Sequence, residues 1–139
     1  MKNILNKISF GIILFTFLCL LVAIFWLVCP YKTLELNSPI TVVEKQIVNG
    51  QELHYIIDFC KYVKTVTVNR QFIDEIIYAS EPVEVSMDTG CYKSIHAIRI
   101  PLGLHADTYI LRITATIKVN PLRTITKVFD TDKFEVIKK

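Results

Sequence analysis

The residues that could support metal or acid–base chemistry are few and scattered. The histidines are His54, His96 and His105. His54 and His96 lie on predicted strands that could be neighbours, so a copper or zinc site with a cysteine is conceivable; scattered histidines more often lie singly on polar faces. Asp58 near His54 could serve in acid–base catalysis, although a solvated or turn-bonded carboxylate close to Lys61 is the simpler interpretation. We therefore predict no metal site and no catalytic residue.

The remaining acids and the motif content lead to the same prediction. Asp74-Glu75 and Asp130/Asp132 lie beside predicted turns, where turn carboxylates are commoner than calcium ligands. The chain has no G-x-S-x-G, H-E-x-x-H, P-loop or dinucleotide-binding motif, and only 4 glycines. A hydrolase needs a nucleophile with a nearby base, and this sequence offers no such pair. We expect a protein that is not an enzyme and that has no cofactor.

An apolar N-terminal segment predicts a membrane anchor. Residues 8–28 contain no charge, and a helix of that length spans a bilayer core of roughly 30 Å. Lys2 and Lys7 precede the segment without an acid, so residues 1–7 should be cytoplasmic and residues 29–139 should lie outside. Pro30 should end the helix.

A cleaved signal peptide is the alternative interpretation of this segment. Its apolar region would be shorter, roughly 7–15 residues, and would end in a small-x-small cleavage site. Here the bulky residues Trp26-Leu27-Val28 precede Cys29. The sequence favours an uncleaved anchor in a bacterial inner membrane, in contact with the lipid bilayer.

The charge outside the membrane is nearly balanced. Two of the 16 basic residues precede the apolar segment, which leaves 14 against 13 acids, or about +1. No block of like charges occurs, so nucleic acid is not an expected partner. The oligomeric state cannot be predicted from these features.

The residues beyond the anchor predict an all-β domain. In 52–60, Leu53, Tyr55, Ile57 and Phe59 form one apolar face, and 108–119 has one apolar and one mostly polar face. Asn49-Gly50 is a hairpin-type turn signal. About seven strands separated by turn residues predict an immunoglobulin-like antiparallel β-sandwich. The short β-type segments that supply these strands, some of them joined or left irregular, are 33–36, 40–43, 52–60, 65–73, 75–79, 82–87, 94–100, 108–119, 124–129 and 134–137.

The cysteines divide between the anchor and this domain. Cys19 and Cys29 lie in or beside the apolar segment and are interpreted as small apolar residues. Cys60 would end the second strand and Cys91 would precede the fifth, and these strands are neighbours in an immunoglobulin-type sheet. A structural disulfide is therefore favoured over free or metal-binding thiols, and no Cys-x-x-Cys redox pair occurs.

Several segments of the chain carry a resemblance to a known class of proteins. They are 55–62, 107–109 and 119–124, together with Cys91. These resemble a class of small bacteriophage-encoded, single-pass inner-membrane proteins with an immunoglobulin-like outer domain and no established activity. Related chains tend to have glycine where Asp107 stands. Tyr109 is placed like the corner tyrosine of such domains, and a plain core aromatic is the alternative. The resemblance implies a phage product in a bacterial envelope.

Together these features predict a non-enzymatic envelope protein whose β-sandwich binds another envelope protein, in the periplasm or outside the cell. Superinfection exclusion is one such role; the alternative is a respiratory-complex assembly or metal-delivery factor. The expected contact surfaces are the loop 102–107 and the turn 120–123. Within them we expect exposed Leu104, Leu122 and Arg123, with Arg123 the most open to a partner.

Overall fold

A single long helix precedes the β-domain. The computed structural model describes residues 2–138 of the chain, with side-chain burial from residue 10 onward. Helix α1 spans Lys2–Val28, and its part Phe10–Val28 is long and apolar enough to cross a membrane. The helix ends just before Pro30, as the sequence predicts.

Ten strands follow the helix within residues 2–138. They are β1 (Leu34–Leu36), β2 (Thr41–Val42), β3 (Gln46–Val48), β4 (Glu52–Lys61), β5 (Thr65–Ile73), β6 (Ile77–Ala79), β7 (Val83–Ser86), β8 (Gly90–Arg99), β9 (Asp107–Asn120) and β10 (Arg123–Ile137).

The strands form two sheets. In the first sheet, β4 is central, with β8 along one side and the short β1 and β2 along the other. The second sheet has the order β3-β10-β9-β5, and both β6 and β7 pair with β5. All pairings are antiparallel except that of β3 with β10. Strands β4, β5, β8, β9 and β10 thus take the places of strands B, C, E, F and G of an immunoglobulin-like sandwich, which confirms the predicted fold class.

The hydrophobic core lies between the sheets, on the faces that the alternation predicts. From β4, Leu53 and Tyr55 are buried, and from β9 the alternate residues from Tyr109 to Ile117 are buried. Phe72 and Phe134 pack edge to face, with ring centroids 6.3 Å apart. Burying each such side chain contributes about 1.5–3 kcal/mol relative to leaving it exposed.

Tyr109 forms the tyrosine corner that its position in the sequence suggests. Its side chain is buried, and its hydroxyl donates a hydrogen bond of 3.2 Å to the carbonyl oxygen of His105. This bond closes the loop between β8 and β9 over the end of the core, so Tyr109 is more than a plain core aromatic.

Three strand predictions differ from the structure. The segments 124–129 and 134–137 form one strand, β10, which has a register shift between Asp130 and Lys133. The short β3 is missing from the prediction because its pairing with the distant β10 leaves no local pattern. The turn at Asn49-Gly50 exists, but it joins strands of different sheets and therefore forms no hairpin.

Glycine is strongly favoured at position 50 in that turn. Its φ of 83° lies in the left-handed region, and a Cβ there would approach Leu102 Cδ2 to 2.7 Å.

Candidate functional site: an open groove between the sheets

The predicted disulfide is present. Cys60 and Cys91 lie directly opposite each other on β4 and β8 and are joined by a disulfide bond. The bond links the last residues of β4 to the first residues of β8.

The two histidines considered as metal ligands do not meet. His54 lies opposite Ala97, whereas His96 lies opposite Tyr55, so the two histidine side chains point to different faces of the sheet. The His54 ring instead contacts a carboxylate oxygen of Glu44 at 2.8 Å. Across the part of the chain that the structure describes, no cluster of three or more His, Cys, Asp or Glu side chains could hold a metal ion.

Most of the acids considered in the sequence have structural partners. Asp58 accepts a hydrogen bond of 2.7 Å from the Asn37 side-chain amide. Asp130 accepts two hydrogen bonds, of 2.7 and 2.8 Å, from Arg112. These bonds lower the pKa of Asp130, with burial opposing the change. The carboxylates are therefore held as acceptors and not aimed at a common reaction centre.

The expectation that Leu104 is exposed is wrong. Leu104 is only 1% exposed and belongs to the main core, whereas Leu102, two residues earlier, is 79% exposed. Asn49 donates a side-chain hydrogen bond of 2.6 Å to the Leu104 carbonyl and holds the loop in place. The two leucines flank Gly103. Leu104 packs in the same core as Tyr109, whereas Leu102 remains outside it.

The expectation that the Arg123 guanidinium is open to a partner is also wrong. Its Nη1 donates to the carbonyl oxygens of Leu27 at 2.8 Å and Cys29 at 2.7 Å. The guanidinium also lies over the Tyr31 ring, 5.9 Å from the centroid. The last carbonyls of a helix lack partners within it, and a cation there is favourable.

The β9–β10 turn is thereby attached to the end of α1. Asn120 adds a hydrogen bond of 2.9 Å from its side-chain amide to the carbonyl of Trp26. Leu122, in the same turn, is 55% exposed as expected. The turn residues on either side of it, Asn120 and Arg123, both bond to the end of the helix. This end of the sandwich therefore faces the helix, and the loop 102–107 lies at the opposite end of β9.

An apolar concavity lies between the two sheets. We call it the open-side groove: a space of about 320 Å³ between β4 and β8 on one side and β5 and β7 on the other. Val66 and Val68 of β5, Val83 and Val85 of β7 and Phe59 of β4 line it, together with other apolar side chains. The groove is open because β8 and β7 are the outermost strands on this side of their sheets and no described strand closes the gap.

The charged residues that line the open-side groove are all basic. Lys61, Arg70 and Lys93 contribute to the lining together with His96, and no Asp or Glu does. The Nε atom of Arg70 is buried and has no hydrogen-bond partner. A buried donor without a partner costs about 1–3 kcal/mol.

The surroundings of Arg70 form the polar part of the groove. Tyr55 and His96 stack with ring centroids 5.7 Å apart. Burial raises the pKa of the Tyr55 hydroxyl, and the charge of Arg70 together with a hydrogen bond from its side chain opposes that rise. Burial lowers the pKa of His96, and Arg70 lowers it further. Arg70 lines the groove together with both rings, and its charge makes the local field positive.

Lys61 has a different role although it also lines the groove. Its side chain is only 2% exposed, and its Nζ donates to the carbonyl oxygens of Lys64 at 2.6 Å, Val85 at 3.2 Å and Met87 at 3.3 Å. Burial lowers the pKa of Lys61, and the charge of Asp88 partly offsets this. Lys61 therefore ties the β4–β5 turn to β7 and the segment after it. Arg70 differs from it, because the Arg70 Nε atom has no hydrogen-bond partner.

The sequence contains a signal for Arg70, although no catalytic or binding motif includes this residue. Residues 66, 68, 70 and 72 alternate on one face of β5, and Arg70 is the only polar residue among them. A charged residue on an otherwise apolar face is uncommon unless it is paired or functional.

Comparison with known proteins gives a likeness of fold only. No protein-family model matches the chain, and no curated protein matches it. Among solved structures, the chain is similar to the CARDB domain of a Pyrococcus furiosus protein crystallised in complex with di-metal ions. The two share 12% sequence identity with a TM-score of 0.44, over 79% of this chain and 99% of that domain. The strand pairings, and not this likeness, define the immunoglobulin-like fold.

Fold and groove together define a class: an immunoglobulin-like β-sandwich that follows an apolar helix and is open along one side.

Proposed function

We propose that this chain is a membrane-anchored, non-enzymatic envelope protein whose β-sandwich binds another envelope component through its open side. The observation that carries the proposal is the open-side groove, an apolar surface with an unpartnered buried arginine donor. Concave apolar surfaces with a few polar groups are the usual binding sites of proteins.

The cellular setting of the proposal comes from the sequence. Basic residues precede the apolar helix without acids, which supports a cytoplasmic N-terminus and a sandwich in the periplasm or outside the cell. The disulfide between Cys60 and Cys91 is consistent with such an oxidising compartment. The resemblance to phage-encoded inner-membrane proteins supports a role in modulating the host envelope during infection, for example superinfection exclusion.

The alternative role, a metal-delivery or respiratory-complex assembly factor, has less support. The ligand pair considered for it, His54 and His96, is divided between the two faces of a sheet. No observation on the described residues favours this role over binding through the groove.

Site-specific photocrosslinking tests the proposal. The full-length chain would carry a photoreactive residue at Val83, on the rim of the groove and 42% exposed, in the membranes of a Gram-negative bacterium. A matched chain would carry it at Thr126, on an exposed position of β10 away from the groove. We expect a discrete adduct from position 83 only. The proposal fails if position 83 gives no adduct, or if both positions give the same ones.

A further inference from the structure

Strand β8 has a free edge that borders the groove. It has 10 residues and pairs along its whole length with β4, while no strand among residues 2–138 pairs with its other edge. Such an edge presents alternate N–H and C=O groups that are ready to pair with another strand. Proteins usually protect edges of this length.

A strand added to β8 would also fill the groove. Side chains alternate along a strand, so every second residue of the added strand would point between the sheets. There it would meet Val83 and Val85 of β7 and Val66 and Val68 of β5. The added strand would extend the first sheet beyond β8 and cover the apolar side chains that the sandwich now leaves open.

Arg70 specifies the charge of the added strand. It faces the same space, its Nε has no hydrogen-bond partner, and no carboxylate lines the groove. A carboxylate could accept paired hydrogen bonds from the guanidinium, which are among the stronger and more directional contacts in proteins.

We propose that the partner contributes an extended segment that pairs with the free edge of β8, places apolar side chains in the open-side groove and sets an acidic side chain against Arg70. The inference rests on the proposed function, because it requires that the bound component be a protein. A single-chain lipid anion would also fit the charge and the apolar lining. The free main-chain groups of β8 favour a peptide strand, since an acyl chain cannot form hydrogen bonds with them.

The test extends the crosslinking experiment at Val83. Mass spectrometry of the adduct would locate the attached segment, and the adduct yield would be compared between the parent chain and Arg70→Gln. Arg112→Gln is the matched control, because Arg112 is paired with Asp130 outside the groove. Circular dichroism and formation of the Cys60–Cys91 disulfide would show that each variant folds.

We expect three results. The attached segment has apolar residues at alternate positions and an Asp or Glu among them. Arg70→Gln lowers the adduct yield about tenfold or more, as removal of one partner of a buried charged pair does. Arg70→Lys retains part of the yield, and Arg112→Gln leaves it unchanged.

Other outcomes separate this inference from the proposed function. A discrete protein adduct that does not depend on Arg70, or that maps to a helix, overturns the strand inference and leaves the binding role intact. Adducts only with lipid, or only with a second copy of this chain, overturn the strand inference. They would also show that the groove binds lipid or another copy of the chain and not a different envelope protein. If Arg70→Gln fails to fold, the adduct yield of Arg70→Lys and the sequence of the attached segment test the strand inference instead.

Discussion

Removal of the Cys60–Cys91 disulfide should lower the stability of the sandwich substantially. The two cysteines are 31 residues apart in the sequence, and the bond closes the loop that contains β5, β6 and β7. For a loop of this length, the chain-entropy relation gives a stabilisation of about 3.5–4 kcal/mol at 25 °C. The total stability of a small domain is only about 5–15 kcal/mol, so this bond is a large part of it.

The perturbation is a double substitution, Cys60→Ala with Cys91→Ala, in the full-length chain in detergent micelles. The control is Cys19→Ala with Cys29→Ala, which removes the free cysteines at the helix and leaves the disulfide in place. Urea unfolding would be followed by the β-sheet circular dichroism signal, since the sandwich supplies the strands. With an m-value of about 2 kcal/mol/M, the midpoint should fall by roughly 2 M.

A loss of less than about 1 kcal/mol would refute the reasoning, because the bond would then not restrict the unfolded chain as the relation assumes. An equal loss in the Cys19 and Cys29 control would attribute the effect to the helix instead.

Three further substitutions have defined expectations. Tyr109→Phe removes the hydrogen bond to His105 but keeps the ring, so the free energy of unfolding should fall by about 0.5–1.5 kcal/mol in urea titrations. Arg123→Gln removes the guanidinium from the carbonyls at the end of α1, so protease cleavage between the helix and β1 should become faster while sandwich stability changes little. Arg112 lowers the pKa of Asp130, so the stabilisation from this pair is present above about pH 4 and is lost as the pH falls through the lowered pKa. Asp130→Asn should therefore cost up to about 1 kcal/mol near neutral pH. The difference in urea midpoint from the parent chain should vanish once the pH lies below the lowered pKa of Asp130.

The fold follows closely from local patterns in the sequence. The face of Leu53, Tyr55, Ile57 and Phe59 is inward, as predicted, because alternation along a strand assigns one face to the core. Tyr109 forms the corner because its spacing from the preceding loop matches the hydrogen bond that the corner requires.

The candidate site is less accessible to such reasoning. Leu104 and Leu102 have the same local context, and only the packing beneath the loop buries one and exposes the other. Arg123 looks like a solvated turn residue in the sequence, but its partners Leu27 and Cys29 lie more than ninety residues earlier. Contacts over such separations leave no trace in local composition.

The sequence by itself determined the apolar helix, the β class of the domain, its inward faces and the pairing of Cys60 with Cys91. The helix and the β class depend on composition, and the inward faces depend on a two-residue period. The cysteine pairing follows because residues 30–139 contain just these two cysteines. Tertiary structure alone decided that β8 keeps a free edge, that the sandwich is open beside it and that Arg70 faces that opening without a carboxylate. The physical reason is that an edge or a groove is defined by what fails to pack against it, and that depends on how all the strands pair.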